Sequence, residues 1–165
     1  MNKDDLIRWL ETTDPSRLEE LYALAYRIKC QHVGKVVYFR GIIELSNVCQ
    51  KDCLYCGIRK GNKRVERYQM TRDEIIQTAY LADQMKYGSI VLQSGERQDD
   101  AFTDFIEDAI AGIKRVSEGR LGITLSLGEQ SEETLRRWFS AGAHRYLLRI
   151  ETSNEKLYRK IHPQD

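Results

Sequence analysis

Proline is scarce in this 165-residue chain, occurring only at Pro15 and Pro163. Low-complexity tracts are missing as well, which leaves little material for a flexible linker between separate domains. There is no excess of either charge. Lys and Arg number 26 against 25 Asp and Glu, a net charge of +1, so no global field recruits nucleic acid or a membrane surface. No apolar run approaches the length of a membrane span. The opening Met1-Asn2-Lys3-Asp4-Asp5 is too acidic for the start of a signal peptide. No internal repeat is visible beyond an alternation of strand-like and helix-like stretches. What is present is an ordinary balance of 41% hydrophobic and 31% charged residues, at a length that suits one domain with a real core.

Cysteine is the informative scarcity. There are four, and three of them, Cys49, Cys53 and Cys56, fall inside eight residues with the spacing C-x3-C-x2-C. Thiols so close would strain any disulfide and leave one over, but they can converge on one metal centre. A four-coordinate structural zinc wants a fourth Cys or His nearby, and none follows Cys56 for many residues. A [4Fe–4S] cluster normally takes four thiolates, so three would leave one iron open to a small molecule. Clustered unpaired thiols suit a reducing cytosol, so a cytoplasmic location is expected. An exposed cluster with an open iron points further to an anaerobic or microaerobic setting.

The rest of the chain is organised to present that stretch. Residues 3–11 and 16–31 read as helices, the second opening on Asp14 with Pro15 at its first position. Cys30 and His32 lie near its end, where a half-buried thiol and a turn residue are favoured over ligands. A β-rich run, 36–45, leads directly into the cysteines. Its successor loop carries five basic residues between Arg59 and Arg67; a solvated charge run is the favoured reading, and positive potential beside a cluster or anionic substrate is the alternative. Thr71 and Glu74 form a capping box ahead of a helix bearing Ile75, Ile76, Ala79, Ala82 and Met85. Ser89–Gln93 reads as a buried parallel strand that delivers Ser94-Gly95-Glu96. An amphipathic helix through Phe102 and Val116 follows, then a strand over 121–127, a helix capped by Ser131, a strand over 144–151 and a short helix from Asn154 to Ile161.

Strands alternating with helices call for a parallel sheet with right-handed crossovers. The expected fold is therefore α/β, an N-terminal helical segment (1–34) followed by about four parallel βα units (35–165). A complete TIM-type barrel runs to about 250 residues, so the chain reads as the first half of one, cut short. A complete half-barrel closed by dimerisation is the alternative.

Candidate site residues sit at the strand ends. Gly95 suits a backbone that passes close to a ligand, although for an isolated S-G-E a plain strand end would be the better reading. Thr124 and Ser126 lie two apart and so share one face of their strand. Arg149 and Glu151 do the same on the fourth strand, where two charges on one side are costly unless paired. A fork from guanidinium to carboxylate and a carboxylate accepting a ribose diol would satisfy them; pairing with each other or with neighbouring strands is the alternative.

C-x3-C-x2-C with Tyr55 just before the last Cys resembles the signature of the radical S-adenosylmethionine (radical SAM) enzymes. Glu44-Leu45-Ser46-Asn47-Val48-Cys49, Gln93-Ser94-Gly95-Glu96, Thr124-Leu125-Ser126-Leu127-Gly128-Glu129 and Arg145 through Thr152 are similar to the branch holding biotin synthase, methylornithine synthase and an [FeFe]-hydrogenase maturase, most of all the maturase. The resemblance implies that Cys49, Cys53 and Cys56 hold a [4Fe–4S] cluster whose fourth iron binds S-adenosylmethionine. It implies further that Tyr55 meets the adenine through its backbone and that Ser94, Gly95 and Glu96 meet the methionine amino group. Thr124, Ser126, Arg149 and Glu151 would lie around the cofactor or substrate. The implied activity is hydrogen abstraction from a small-molecule or iron-complex substrate. The implied partners are an electron donor such as ferredoxin or flavodoxin and other hydrogenase maturases. Ile150 departs from the pattern, standing where a His is expected, and the family's later strands, with a further basic residue for the cofactor, are not in this sequence. The competing reading is a non-catalytic zinc or iron–sulfur module completed by Cys30 or His32, or a fragment that carries the signature without turning over.

Overall fold

A computed structural model describes residues 2–163. Up to Val37 the chain forms one compact unit and from Tyr38 another.

The first unit holds α1 (Lys3–Glu11) and α2 (Pro15–Val33). Asn2 and Asp5 close a reciprocal capping box on α1, and the Asp14 side chain caps α2 ahead of Pro15. Each cap supplies acceptors for amides that a helix start leaves without partners. Arg17 lies over the Trp9 ring, 5.2 Å from its centroid. Cys30 is half-buried and free, with Tyr26 hydrogen-bonded to it, as an inert helical thiol would be.

The second unit is built from β1 (Arg40–Ser46), α3 (Arg72–Gln84), β2 (Ser89–Ser94), α4 (Asp100–Val116), β3 (Gly122–Ser126), α5 (Glu132–Ala141), β4 (Arg145–Tyr146) and α6 (Glu155–Ile161). The strands pair in sequence order, β1-β2-β3-β4, and every pair is parallel. Alternate residues point to opposite faces. One face carries Ile43, Leu45, Ile90, Leu92, Ile123 and Leu125 into a core shared with Ile75 and Ala79 of α3, Ile106, Ala109, Ile110 and Ile113 of α4, and Trp138 of α5. Burying one such side chain is worth about 1.5–3 kcal/mol. Trp138 is fully buried and its indole N–H donates to the Thr103 carbonyl at 3.0 Å, so its polar atom is satisfied.

The other face carries Ile42 and Glu44 of β1, Val91 and Gln93 of β2, and Thr124 and Ser126 of β3, matched in register across the strands. Gln93 Nε2 donates to Glu44 Oε1 at 3.3 Å. This face ends at the carboxyl ends of the strands, where the loops with the cysteines and Ser94-Gly95-Glu96 emerge.

Two strands differ from expectation. β1 starts at Arg40 and not at Val36, because its ladder begins with Arg40 opposite Ser89; Val36, Val37, Tyr38 and Phe39 are largely exposed. β4 has two residues where the sequence reads as eight. β3 ends at Ser126, and Gly128 at φ 77° turns the chain away. Past Leu147, whose N–H reaches the Leu125 carbonyl at 2.8 Å, the fourth segment has no ladder partner among the described residues. A strand needs its neighbour's carbonyls and amides, so the apolar pattern of 147–151 does not suffice.

Candidate functional site

The loop from β1 to α3 opens with the thiols, and its neighbours hold it by main-chain hydrogen bonds. Val48 N–H donates to Ser46 Oγ at 3.1 Å. Gly95 N–H donates to the Ser46 carbonyl at 3.2 Å, and Gln50 N–H to the Glu96 carbonyl at 2.9 Å. The loop is thereby laid against the end of β2. Gly95 is required by that contact: a Cβ there would meet the Val48 carbonyl oxygen at 2.4 Å and Cys49 Cβ at 2.6 Å. Its close neighbour is the cysteine loop itself.

Cys49, Cys53 and Cys56 are free, half-buried and line one cavity of about 430 Å³. Cys49 Sγ accepts from the Glu96 amide at 3.4 Å. Burial pushes the Cys53 thiol up, which favours the protonated form until a cation or cluster is bound. Among the described residues no three His, Cys, Asp or Glu side chains are gathered for a single metal ion. Three free thiols on one cavity wall are a donor set that suits an iron–sulfur group.

The same cavity is lined by Tyr55, Ser94, Gly95, Glu96, Ser126, Arg149 and Glu151. Thr124, on the same strand face as Ser126, is buried and does not line it. Arg149 and Glu151 are exposed and lie beyond the end of β4, in irregular backbone with Glu151 at φ 59°. They share the cavity, but not through strand alternation. Glu96 is buried and already occupied: its carboxylate accepts from Glu129 N–H at 2.9 Å and Gln98 Nε2 at 3.2 Å, with Lys51 Nζ at 3.8 Å. Ser94 Oγ donates to the Gly95 carbonyl at 2.6 Å.

Several participants were not legible as site residues. Glu44 and Gln93 line the cavity from β1 and β2; polar residues inside otherwise apolar strands were the available signal. His162 enters it from the end of α6, buried. Its Nδ1 bonds the Tyr158 carbonyl at 3.0 Å. A carbonyl can only accept, so Nδ1 donates there, and Nε2 shares a hydrogen bond with Tyr55 Oη at 2.9 Å. Burial, with Cys53 beside it, drives the Tyr55 phenol well above its ordinary pKa. Leu54 N–H donates to the Ile161 carbonyl at 2.9 Å, so α6 ends on the cysteine loop.

The basic run divides. Arg59 pairs with Asp52 at 3.0 Å, and Asp52 is held below the usual carboxylate range first by the Gly61 amide and then by Arg59. Arg67 bonds main-chain carbonyls of the loop. Lys60, Lys63 and Arg64 are exposed.

Residues 43–165 match the family model of the radical SAM superfamily. The chain belongs to that superfamily. It is 47% identical over 154 residues to the [FeFe] hydrogenase maturase subunit HydE of Thermotoga maritima, covering 93% of this chain and 43% of that protein. It is 27% identical over 163 residues to the 3-methylornithine synthase of Methanosarcina acetivorans, covering 98% and 45%. The crystal structure of a methylornithine synthase superimposes with a TM-score of 0.85 at 26% identity, over 99% of this chain and 48% of that one. The chain thus spans less than half the length of the relatives it matches. Within this radical SAM fold, an α/β arc of four parallel strands from a TIM-type barrel, the three cysteines occupy the loop after the first strand. No helix among the described residues is long and apolar enough to cross a membrane.

Proposed function

We propose that this chain is the cluster-bearing part of a radical SAM enzyme, with residues 1–34 as a helical segment ahead of the barrel part, 35–165. The observation that carries the reading is that three free thiols from one loop line a single cavity at the carboxyl ends of parallel strands. Cys49, Cys53 and Cys56 would hold a [4Fe–4S] cluster, leaving one iron for S-adenosylmethionine. When bound, the pair supplies one-electron cleavage of the sulfonium and a 5′-deoxyadenosyl radical for hydrogen abstraction.

The chain's own residues supply binding and exclusion of water. The Glu96 amide, donating to Cys49 Sγ, is placed to stabilise a thiolate there. Arg149 offers a forked donor for a carboxylate and Glu151 an acceptor for a diol. Tyr55, Ser94-Gly95-Glu96 and Ser126 border the space for the rest of the cofactor. Glu96 would act through its main chain, since its carboxylate is engaged within the protein.

Maturation of the [FeFe]-hydrogenase cofactor is the role we infer, supported by the 47% identity to a hydrogenase maturase subunit. The substrate would be a small molecule or iron complex, and the partners a redox protein such as ferredoxin or flavodoxin and other maturases. A methylornithine or biotin synthase-like reaction is the second reading, the former supported by the 0.85 superposition and the latter by sequence similarity to biotin synthases.

The test is anaerobic reconstitution of the chain with iron and sulfide. Expected are four irons per chain and a cluster spectrum that shifts on adding S-adenosylmethionine. One colourless zinc per chain, or a cluster indifferent to the cofactor, would refute the reading.

A further inference from the structure

Arg67 lies on the segment that returns from the cysteine loop toward α3. Its Nη1 donates to the carbonyls of Asn47 at 2.6 Å and Ile58 at 2.8 Å; its Nη2 donates to those of Arg59 at 2.8 Å and Asn62 at 3.2 Å. Asn47 precedes Cys49 by two residues and Ile58 follows Cys56 by two. One guanidinium therefore bonds both ends of the stretch that carries the thiols.

The main chain around Arg67 is fixed independently. Asn47 Nδ2 donates to the Glu66 carbonyl at 2.7 Å, and Asn47 Oδ1 accepts from Tyr68 N–H at 2.8 Å. An antiparallel bridge between Ser46 and Gln69 continues the contact. The guanidinium thus works from a braced position. A loop without a ladder must find donors for its carbonyls, and a rigid plane with five N–H groups can fix carbonyls arriving from several directions. An ammonium, a point donor on a flexible stem, cannot reproduce that.

We infer that Arg67 is a positioning residue that holds the Cys49–Cys56 stretch in its ligand-presenting shape before loading and slows loss of the cluster afterwards. The second half of this inference rests on the cluster reading above. Arg67 acts through main-chain carbonyls and not on the thiols. Asp52, accepting from Arg59 Nη1 at 3.0 Å and Gly61 N–H at 2.8 Å, ties only residues within the loop and serves as the internal comparison.

The experiment follows amide hydrogen exchange in the metal-free, reduced chain for wild type, Arg67→Lys, Arg67→Leu and Asp52→Asn. The amides of Cys56, Lys60 and Asn62, bonded to Cys53, Lys51 and Arg59, should exchange about tenfold or more faster in Arg67→Leu, less so in Arg67→Lys and least in Asp52→Asn, as expected for local opening. The amides of β2 should keep their protection. After reconstitution, chelator should bleach the cluster absorbance about 10–100-fold faster in Arg67→Leu, the scale for a residue that orients ligands. Unchanged loop exchange in Arg67→Leu overturns the inference. Equal loss of protection in β2 overturns it too, by making Arg67 a determinant of the whole fold. A loosened loop with unchanged bleaching overturns the claim on retention. If the wild-type chain itself takes up no four-iron cluster, the functional reading falls, and the exchange data alone decide what Arg67 does.

Discussion

The helix-covered side of the sheet and the cysteine loop are held together by different forces. Between β2, α4 and β3 the contacts are apolar and fully buried, from Ile90 and Leu92 through Ile106 and Ile110 to Ile123. Between Asn47 and Tyr68 hardly any side chain is buried, and the conformation depends on Arg67, Asn47, Asp52 and Ser46 meeting main-chain groups. The first kind of order is non-directional and cooperative. The second is directional and fails bond by bond. A loop held this way can rearrange without dissolving the fold.

The largest effect should come from the apolar side. Trp138→Ala removes a fully buried ring and the indole N–H that donates to the Thr103 carbonyl; a loss of about 3–5 kcal/mol is expected in denaturant unfolding, with the loop's exchange pattern unchanged short of global unfolding. Next is the seam between the regions. Gly95→Ala places a methyl against Val48 and Cys49, and the main chain must shift, at about 1–3 kcal/mol. Because Cys49 is displaced, cluster retention should fall further than that stability loss implies; equal retention would erase the distinction between the regions.

A smaller effect is set by acid. Asp99 caps α4 through the Phe102 amide, and Arg97, the leading cause, holds its carboxylate below the ordinary 3.8. A depressed carboxylate contributes stability that is present above the unfolded pKa and lost as pH falls through the folded one. The acid limb of the stability curve below about pH 4 should therefore be flatter in Asp99→Asn, with the variant less stable at neutral pH and the difference closing as the pH falls, as read by thermal unfolding across pH. The smallest effect on stability falls on the thiols. Cys49→Ala, Cys53→Ala and Cys56→Ala should each move the metal-free chain by no more than about 0.5 kcal/mol, yet abolish four-iron loading. A large loss of stability in all three would make them structural.

Local signals were legible where a few adjacent residues decide the outcome. Asp14 with Pro15, Thr71 with Glu74, and Ser131 each begin a helix as their chemistry dictates. The parallel alternation was readable as well, and the fold class with it. β4 was misjudged because a strand depends on its neighbour, and β3 has turned away by Gly128. The basic run read as one solvated stretch, whereas Arg67 is directed inward, since carbonyl acceptors are invisible in a sequence. His162 was passed over because only the path of α6 brings it to Tyr55.

That path has a consequence for biogenesis. Tyr55 and His162 are 107 residues apart in sequence, and the Leu54 amide waits on the Ile161 carbonyl. On the ribosome the thiols emerge early, but the chamber around them closes only after nearly all of this sequence has been made. Any step at the thiols that needs Tyr55 and His162 in contact therefore waits for α6.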